Sequence, residues 1–274
     1  FEWKLLYGAD HKSGVKSGVK PAIISLPGYP FARERYWATG DEKQSGQMLS
    51  QNRGEINSLL HENISDVNGL KFRSRYSGEE HFLVDHVING TKIFPGVAYL
   101  ELAISAGNLV TGNQVSTLKD ITWINTLKAD QLDTELFTSL NNKGNEIEFQ
   151  LYSQQNSESV LHSQGSLTVA STSSLKVSNK TDINALKVSL ANTRSGKKMY
   201  QRFETLGFQY GNSFRGIQQI WYNDNGVLAS VSLSDYGHYQ LPLGILDSAL
   251  QACAELVSED AVLVPYSIGQ LSVH

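Results

Sequence analysis

The chain has 274 residues, of which 40% are apolar and 18% are charged, and its formal net charge is −4 at pH 7. This length allows one large hydrophobic core or two joined subdomains. The lack of net positive charge and of Lys/Arg-rich runs argues against nucleic-acid binding. No apolar stretch approaches the roughly 20 residues that span a bilayer, and no signal-peptide core is visible. We therefore expect a cytoplasmic protein that binds neither membrane nor nucleic acid.

Metal and disulfide chemistry are not indicated. The single cysteine, Cys253, excludes an intrachain disulfide, and its apolar neighbours favour a small core residue over a nucleophile. The histidines show no ligand spacing typical of a metal centre, because His81 and His86 are five residues apart rather than four. No glycine-rich phosphate loop is present. We expect no metal and no bound cofactor.

Residues 1–50 mix Gly, Ser, Lys and Pro without sustained periodicity, and the phrase Lys-Ser-Gly-Val occurs twice in tandem from residue 12. This composition is typical of a linker. Further along, strand-like segments separated by polar turns predict a first sheet. Its strands are expected over residues 71–76, 116–127, 134–140, 146–152 and 160–169.

A titratable imidazole, His86, precedes an apolar segment that begins with a proline. Pro95 suits the first position of a helix, and the residues up to Gly107 carry one charge, so we predict a helix buried on nearly all sides. His86 suits proton abstraction beside a carbonyl, and the Gly96 N–H suits stabilisation of an oxyanion. A lone histidine near an apolar segment is, however, more often a hydrogen-bonded core residue.

The second half follows a Ser/Thr/Lys/Asn-rich connection at residues 170–181. Residue patterning then predicts two helices and two strands, with a hairpin turn between the strands at 223–226. The helices are expected over 182–192 and 197–206, and the strands over 214–222 and 227–233. The loop that begins at Tyr210, taken alone, indicates only a turn with an exposed tyrosine.

A second proline-started helix is predicted over 242–256, where Asp247 and Gln251 are four residues apart and share a face. The apolar neighbours of Asp247 favour a raised pKa and a proton-donating form near neutral pH, and the Gln251 amide can orient it. Alternatively, Asp247 complements the helix dipole. Two such helices suggest one fold unit used twice.

Three motifs in this order give the chain a resemblance to the dehydratase domains of modular polyketide synthases. The family patterns HxxxGxxxxP, YGxxFxG and DxxxQ match, in turn, His86, Gly90 and Pro95; Tyr210, Gly211, Phe214 and Gly216; and Asp247 and Gln251. The resemblance covers about residues 55–274. Residues 26–37 resemble the end of a preceding ketosynthase or acyltransferase region, and residues 59–63 resemble dehydratases of the trans-acyltransferase type.

The resemblance implies an α+β double hot-dog fold, in which two antiparallel sheets each wrap a central helix. It implies an N-terminal hot dog at residues 51–175 and a C-terminal hot dog at 176–274, after the linker at 1–50. Family members continue with further strands past the phrase that matches Gln270–His274. The second hot dog is therefore expected to be incomplete at its C-terminus.

The resemblance also implies dehydration of a 3-hydroxyacyl thioester, carried on the phosphopantetheine of acyl carrier protein, to a 2,3-enoyl thioester. The implied base is His86 and the implied acid is Asp247, although a coupled pair leaves open which member holds the proton. Substrate contacts are implied for Gly96, Tyr210 and Gln251. Residues that support the motifs are Gly90, Pro95, Gly211 and Phe214. Implied partners are acyl carrier protein, neighbouring synthase domains and a second copy of the chain in a homodimer.

Two other functions are compatible with the sequence. The same scaffold can carry an isomerase that shifts a double bond or a cyclase that closes an ether, but isomerases of this kind often lack the residue matched by Asp247. The domain can also be a silent module that docks acyl carrier protein or holds a dimer. The intact His86, Tyr210 and Gln251 argue against silence.

Overall fold

The computed structural model describes residues 59–130, 133–144, 146–155, 158–169, 181–234, 239–257 and 264–273. All of these belong to the larger of the two units into which the chain divides, Ser50–His274. The predicted linker at 1–50 and residues 170–180 of the predicted connection lie outside the described residues.

The described residues form thirteen strands and five α-helices. The strands are β1 (Glu62–Asn63), β2 (Leu70–Tyr76), β3 (His86–Ile88), β4 (Thr91–Lys92), β5 (Val115–Trp123), β6 (Thr134–Asn142), β7 (Ile147–Gln155), β8 (Glu158–Val169), β9 (Asn192–Ser195), β10 (Phe208–Tyr210), β11 (Ile217–Asn223), β12 (Gly226–Val231) and β13 (Ser267–Ser272). The helices are α1 (His81–Val84), α2 (Gly96–Thr111), α3 (Ile183–Ser189), α4 (Gly196–Thr205) and α5 (Leu243–Ala252), with 3-10 turns at Asn212–Phe214 and Cys253–Leu256.

Every strand pair in the described part of the chain is antiparallel. Among the described residues, seven strands form a large sheet in the order β1-β2-β6-β7-β8-β5-β13, and smaller sheets have the orders β10-β3-β4 and β12-β11-β9. β13 follows α5 in the chain but pairs with β5, so the chain returns to the large sheet after passing through the second half. Likewise β10, from the second half, pairs with β3.

The central helix of the large sheet is α2, which packs against β5, β6, β7 and β8. Its residues from Val97 to Gly107 are all buried, as the nearly continuous apolar sequence predicts. The helix continues past Gly107 and ends at Thr111. The next residue, Gly112, is the C-cap, and its φ of 67° is left-handed. A Cβ on Gly107 would lie 2.8 Å from Val115 Cγ2, so glycine here permits close packing of helix and sheet.

The second central helix is α5, which packs against β11 and β12 and contacts α2. Two central helices covered by antiparallel strands confirm the predicted α+β double hot-dog fold. The prediction that Pro95 and Pro242 are the first helical residues is wrong. Both are N-caps, with extended ψ values of 137° and 99°. Each proline therefore lies one residue before the first helical turn.

Strand ends were predicted less well than strand existence. The strand predicted from Phe214 begins at Ile217, because a 3-10 turn occupies Asn212–Phe214, and the strand predicted to Leu127 ends at Trp123. The hairpin turn at 223–226 is confirmed, since Asn223 pairs with Gly226. Among the described residues, no helix is both long and apolar enough to cross a membrane.

Leu100 and Leu109 offer a matched test of the α2 core, since Leu100 is fully buried and Leu109 is 48% exposed on the same helix. We expect Leu100→Ala to lower the free energy of unfolding by about 2–5 kcal/mol, because it leaves a cavity. Leu109→Ala should change it by less than about 1 kcal/mol. Urea unfolding measures both, and equal effects would contradict the assignment of α2 as the core helix.

Candidate active site

His86 lies at the start of β3 in a tight hairpin. Asn89 and Gly90, which join β3 to β4, have left-handed φ values of 49° and 76°. This explains Gly90 in the first motif, because consecutive left-handed residues are typical of two-residue hairpin turns and favour Asn-Gly. The Asn89 N–H donates to the Gly207 carbonyl at 2.7 Å, which ties the turn to the residue before β10.

The hydrogen bonds of His86 define its tautomer. Its Nδ1 lies 2.8 Å from the Ile93 carbonyl oxygen, and its own carbonyl accepts from the Ile93 N–H at 3.0 Å. A carbonyl oxygen can only accept, so Nδ1 carries a hydrogen, and in the neutral ring Nε2 keeps a free lone pair. The side chain is 6% exposed. His86 therefore meets the geometric requirement for a base.

Two aromatic rings hold the imidazole. His86 pairs with Tyr210 across β3 and β10, and the ring centroids lie 5.5 Å apart. The ring of Phe214, which belongs to the 3-10 turn after β10, has its centroid 5.2 Å from that of the imidazole. Burial raises the pKa of the Tyr210 hydroxyl well above its usual range, so this hydroxyl stays protonated and can donate a hydrogen bond.

Gly96 opens α2, and its N–H belongs to the first turn, where amides have no acceptor within the helix. The Trp123 indole N–H donates to the Gly96 carbonyl at 2.9 Å. A Cβ on Gly96 would lie 3.1 Å from the same indole nitrogen, so glycine lets the indole pack against the helix start.

Asp247 and Gln251 lie on one face of α5, as predicted, and are 8% and 7% exposed. The Gln251 amide donates to Asp247 Oδ2 at 2.7 Å. Burial raises the pKa of the Asp247 carboxyl, and the charge of His86 and the hydrogen bond from Gln251 only partly offset this. The carboxyl is thus held in a setting that favours its protonated form.

A cavity of about 270 Å³ is lined by four of the predicted site residues, namely His86, Gly96, Tyr210 and Asp247. Gln251 does not line it; it contacts Asp247 and lines a second cavity, of about 240 Å³, with Asp247 and Tyr210. A candidate base and a carboxyl group with a raised pKa thus line one cavity, an arrangement that suits paired acid–base chemistry on a small reacting group.

The two glycines of the second motif, Gly211 and Gly216, lie where an added side chain would clash with neighbouring residues. The Gly211 N–H donates to the Asp85 carbonyl at 2.8 Å, and a Cβ on Gly211 would run into the Asp85 carboxylate. That carboxylate accepts from the Ser213 N–H and hydroxyl at 2.8 and 2.7 Å. The Gly216 N–H donates to Ser248 Oγ on α5 at 3.1 Å. The loop therefore connects the residue before His86 with the helix that carries Asp247.

Sequence reasoning missed several residues that hold the site. Asp85 and Ser213 gave no motif signal, although Asp85 precedes His86. Tyr200, on α4, contacts Gln251 and was also missed.

The core prediction for Cys253 is wrong, because Cys253 is exposed. α5 tightens into a 3-10 turn at that residue, which changes the angular spacing of side chains. Among the described residues, no cluster of metal-binding side chains occurs, and the metal-free site stays a prediction.

Two family models match the chain. The model described as polyketide synthase dehydratase domain matches residues 57–154. The model described as polyketide synthase dehydratase N-terminal domain matches residues 179–274. Together the matched ranges span well over half of the chain.

Curated relatives and solved structures agree with these models. Polyketide synthases PksN and PksL of Bacillus subtilis (strain 168) are 31% and 32% identical over 99% of the chain, which spans only 5% and 6% of their lengths. The crystal structure of a trans-AT PKS dehydratase domain from Brevibacillus brevis has a TM-score of 0.74 and 28% identity, over 80% of this chain and 82% of that one. The dehydratase domain from the CurF module of curacin polyketide synthase shares the fold, with a TM-score of 0.70, 23% identity, and 77% and 81% coverage.

Substitution of Gly211 tests the contact between the second motif and Asp85. We expect Gly211→Ala to destabilise the fold by about 1–3 kcal/mol, because the added methyl group displaces the Asp85 carboxylate or the loop. Gly269→Ala is the matched control, since nothing lies within 4 Å of a Cβ there. Thermal and urea unfolding compare the two variants, and equal stability would contradict the proposed clash.

The raised pKa of Asp247 has a consequence for stability. Because the folded carboxyl binds its proton more tightly than the unfolded one, its contribution is complete at low pH and is lost as the pH rises above about 4. We expect the stability of Asp247→Asn relative to the original protein to increase between about pH 4 and pH 8. Asp224→Asn, at an exposed position in the hairpin turn, is the control substitution. A pH-independent difference for Asp247→Asn would exclude the raised pKa.

Proposed function

This chain belongs to the polyketide synthase dehydratase domain family, and we propose that it removes water from a 3-hydroxyacyl thioester to give a 2,3-enoyl thioester. The observation that carries the proposal is the shared cavity of His86 and Asp247. It brings together an imidazole whose Nε2 has a lone pair in the neutral ring and a carboxyl group whose pKa is raised by burial. Removal of water requires one group that accepts a proton and one that donates a proton.

In the proposed reaction, His86 Nε2 takes the proton from the α-carbon. The Ile93 carbonyl supports this role, because it binds the Nδ1–H and stabilises the imidazolium that forms. The electron pair of the C–H bond forms the new C=C bond, and the C–O bond at the β-carbon breaks. Asp247 donates its proton to the departing hydroxyl, so that water leaves. Proton transfer from His86 to Asp247 then restores both groups.

Two further groups act on the substrate in this proposal. The Gly96 N–H donates to the thioester oxygen, on which negative charge develops as the α-proton leaves. The position at the first turn of α2 supports this role, because the helix dipole favours negative charge there. The Tyr210 hydroxyl, which stays protonated and lines the cavity with Asp247, donates to the β-hydroxyl. Gln251 orients the acid.

The setting of the domain is also proposed from its relatives. PksN and PksL are polyketide synthases many times longer than this chain, which supports neighbouring synthase domains as partners. We propose that the substrate is carried on the phosphopantetheine of acyl carrier protein. We also propose that the parent synthase is of the trans-acyltransferase type and that the domain forms a homodimer. The similarity to the Brevibacillus brevis domain supports the subtype. Hot dogs at residues 51–175 and 176–274 would then supply the base and the acid, respectively.

Mass spectrometry of a 3-hydroxyacyl carrier protein incubated with the chain tests the function. We expect loss of one water, and a rate lowered at least about 100-fold in His86→Ala and in Asp247→Asn, because each lacks one proton-transfer group. Asp224→Asn, on the exposed hairpin, should keep the original rate. No water loss from either β-hydroxyl stereoisomer, with a folded sample, would refute the proposal.

A further inference from the structure

The Gln251 side chain has a defined orientation. Its Nε2 lies 3.1 Å from the Phe214 carbonyl oxygen and 2.7 Å from Asp247 Oδ2. A carbonyl oxygen only accepts, so the amide group that faces it must be the NH₂. Both of its hydrogens are then used, one on Phe214 and one on Asp247. Asp247 Oδ2 is therefore an acceptor, and the proton of the neutral acid lies on Oδ1.

Tyr200, on α4, completes this arrangement. Its hydroxyl oxygen accepts from the Ile217 N–H at 2.9 Å, and its own hydrogen faces Gln251 Oε1 at 3.2 Å and the Phe214 carbonyl at 3.4 Å. The ring is 6% exposed, and the Arg215 guanidinium lies over it at 5.4 Å. Because the hydroxyl oxygen accepts from the Ile217 N–H, its hydrogen is directed at an acceptor, and the Ser248 hydroxyl is a further hydrogen-bond partner. A flipped Gln251 amide would turn its NH₂ towards that hydroxyl and place its single oxygen against the oxygen atoms of Phe214 and Asp247.

We propose that Tyr200 is a positioning residue that locks the Gln251 amide and thereby assigns the transferable proton to Oδ1 of Asp247. The inference rests on the proposed dehydration for its kinetic consequences only. Tyr200 is not among the residues that line the cavity with His86, so it acts through Gln251 rather than on the substrate. After proton transfer, the Gln251 N–H stabilises the Asp247 carboxylate that remains.

Among the described residues, the ionisable groups that interact with Asp247 are His86 on β3, Tyr210 on β10 and Tyr200 on α4. Both tyrosines have pKa values raised by burial and remain neutral. His86 is the remaining group that can carry a charge, and it is unchanged by substitution of Tyr200. A change in Asp247 ionisation after loss of the Tyr200 hydroxyl therefore reports on Gln251.

Tyr200→Phe removes the hydroxyl and keeps the ring. We expect kcat for dehydration to fall roughly three- to tenfold, the equivalent of one neutral hydrogen bond, with KM unchanged. The alkaline limb of the pH–rate profile should move to higher pH, because a loosened Gln251 stabilises the Asp247 carboxylate less. Tyr76→Phe is the matched control, since the Tyr76 hydroxyl is also buried and donates to a backbone carbonyl, that of Leu59.

A double-mutant cycle tests whether Tyr200 acts through Gln251. We expect Tyr200→Phe combined with Gln251→Leu to be no slower than Gln251→Leu alone. Independent, additive losses would overturn the inference. A melting temperature equal to that of Tyr76→Phe ensures that folding is not the cause.

Carbon-13 NMR titration of the Asp247 carboxyl, assigned by its absence in Asp247→Asn, provides a readout that does not need activity. We expect its pKa to rise in Tyr200→Phe and in Gln251→Leu, and to stay unchanged in Tyr76→Phe. An unchanged value in Tyr200→Phe would overturn the inference even if the chain proved not to be a dehydratase. Absence of water loss in the original protein, with the titration shift intact, would refute the function alone.

Discussion

The candidate site depends on the pairing of β3 with β10, two three-residue strands from distant parts of the chain. This pairing sets His86 opposite Tyr210. Backbone bonds extend it at both ends, from Asn89 to Gly207 at 2.7 Å and from Gly211 to Asp85 at 2.8 Å. Such short strands would be marginal alone. Their neighbours hold them in register, and a one-residue slip would move the imidazole to the opposite face.

Burial of the acid creates a second constraint. A carboxyl group without partners in an apolar setting destabilises the fold, and a group that hydrogen-bonds too strongly to its ionised form would lose its proton. Asp247 lies between these limits, because in the part of the chain that the structure describes it accepts from one amide donor, Gln251. Gln251 in turn is satisfied by Tyr200 and the Phe214 carbonyl. The polar groups around the acid thus form a closed set that favours a neutral carboxyl with one fixed orientation.

The sequence predicted the parts of the fold that long patterns encode. α2 was predictable because its residues are apolar all round, and the hairpin turn at 223–226 because its polar residues and its glycine are typical of such turns. β3 and β10 were not predictable, since three residues show no periodicity and their pairing is tertiary. Tyr200 was hidden for a related reason. It lies on an amphipathic helix among buried residues, where a tyrosine is normally a core residue, and its partner Gln251 is distant in sequence.

The two central helices begin in the same way, but one favours a negative charge at its start and the other carries a carboxyl group beyond its first turn. Gly96 is the first residue of α2, where unpaired amides and the dipole favour a negative charge. Asp247 is in the second turn of α5, after the first i to i−4 bond from Leu246 to Pro242, and the dipole effect has largely faded there. The alternative that Asp247 complements the helix dipole in the first turn is thereby excluded. A carboxylate in the first turn would be stabilised as an anion and would give up its proton too readily. Displacement by one turn favours the neutral carboxyl of Asp247, while the unpaired amides at the start of α2 favour negative charge, as the proposed reaction requires.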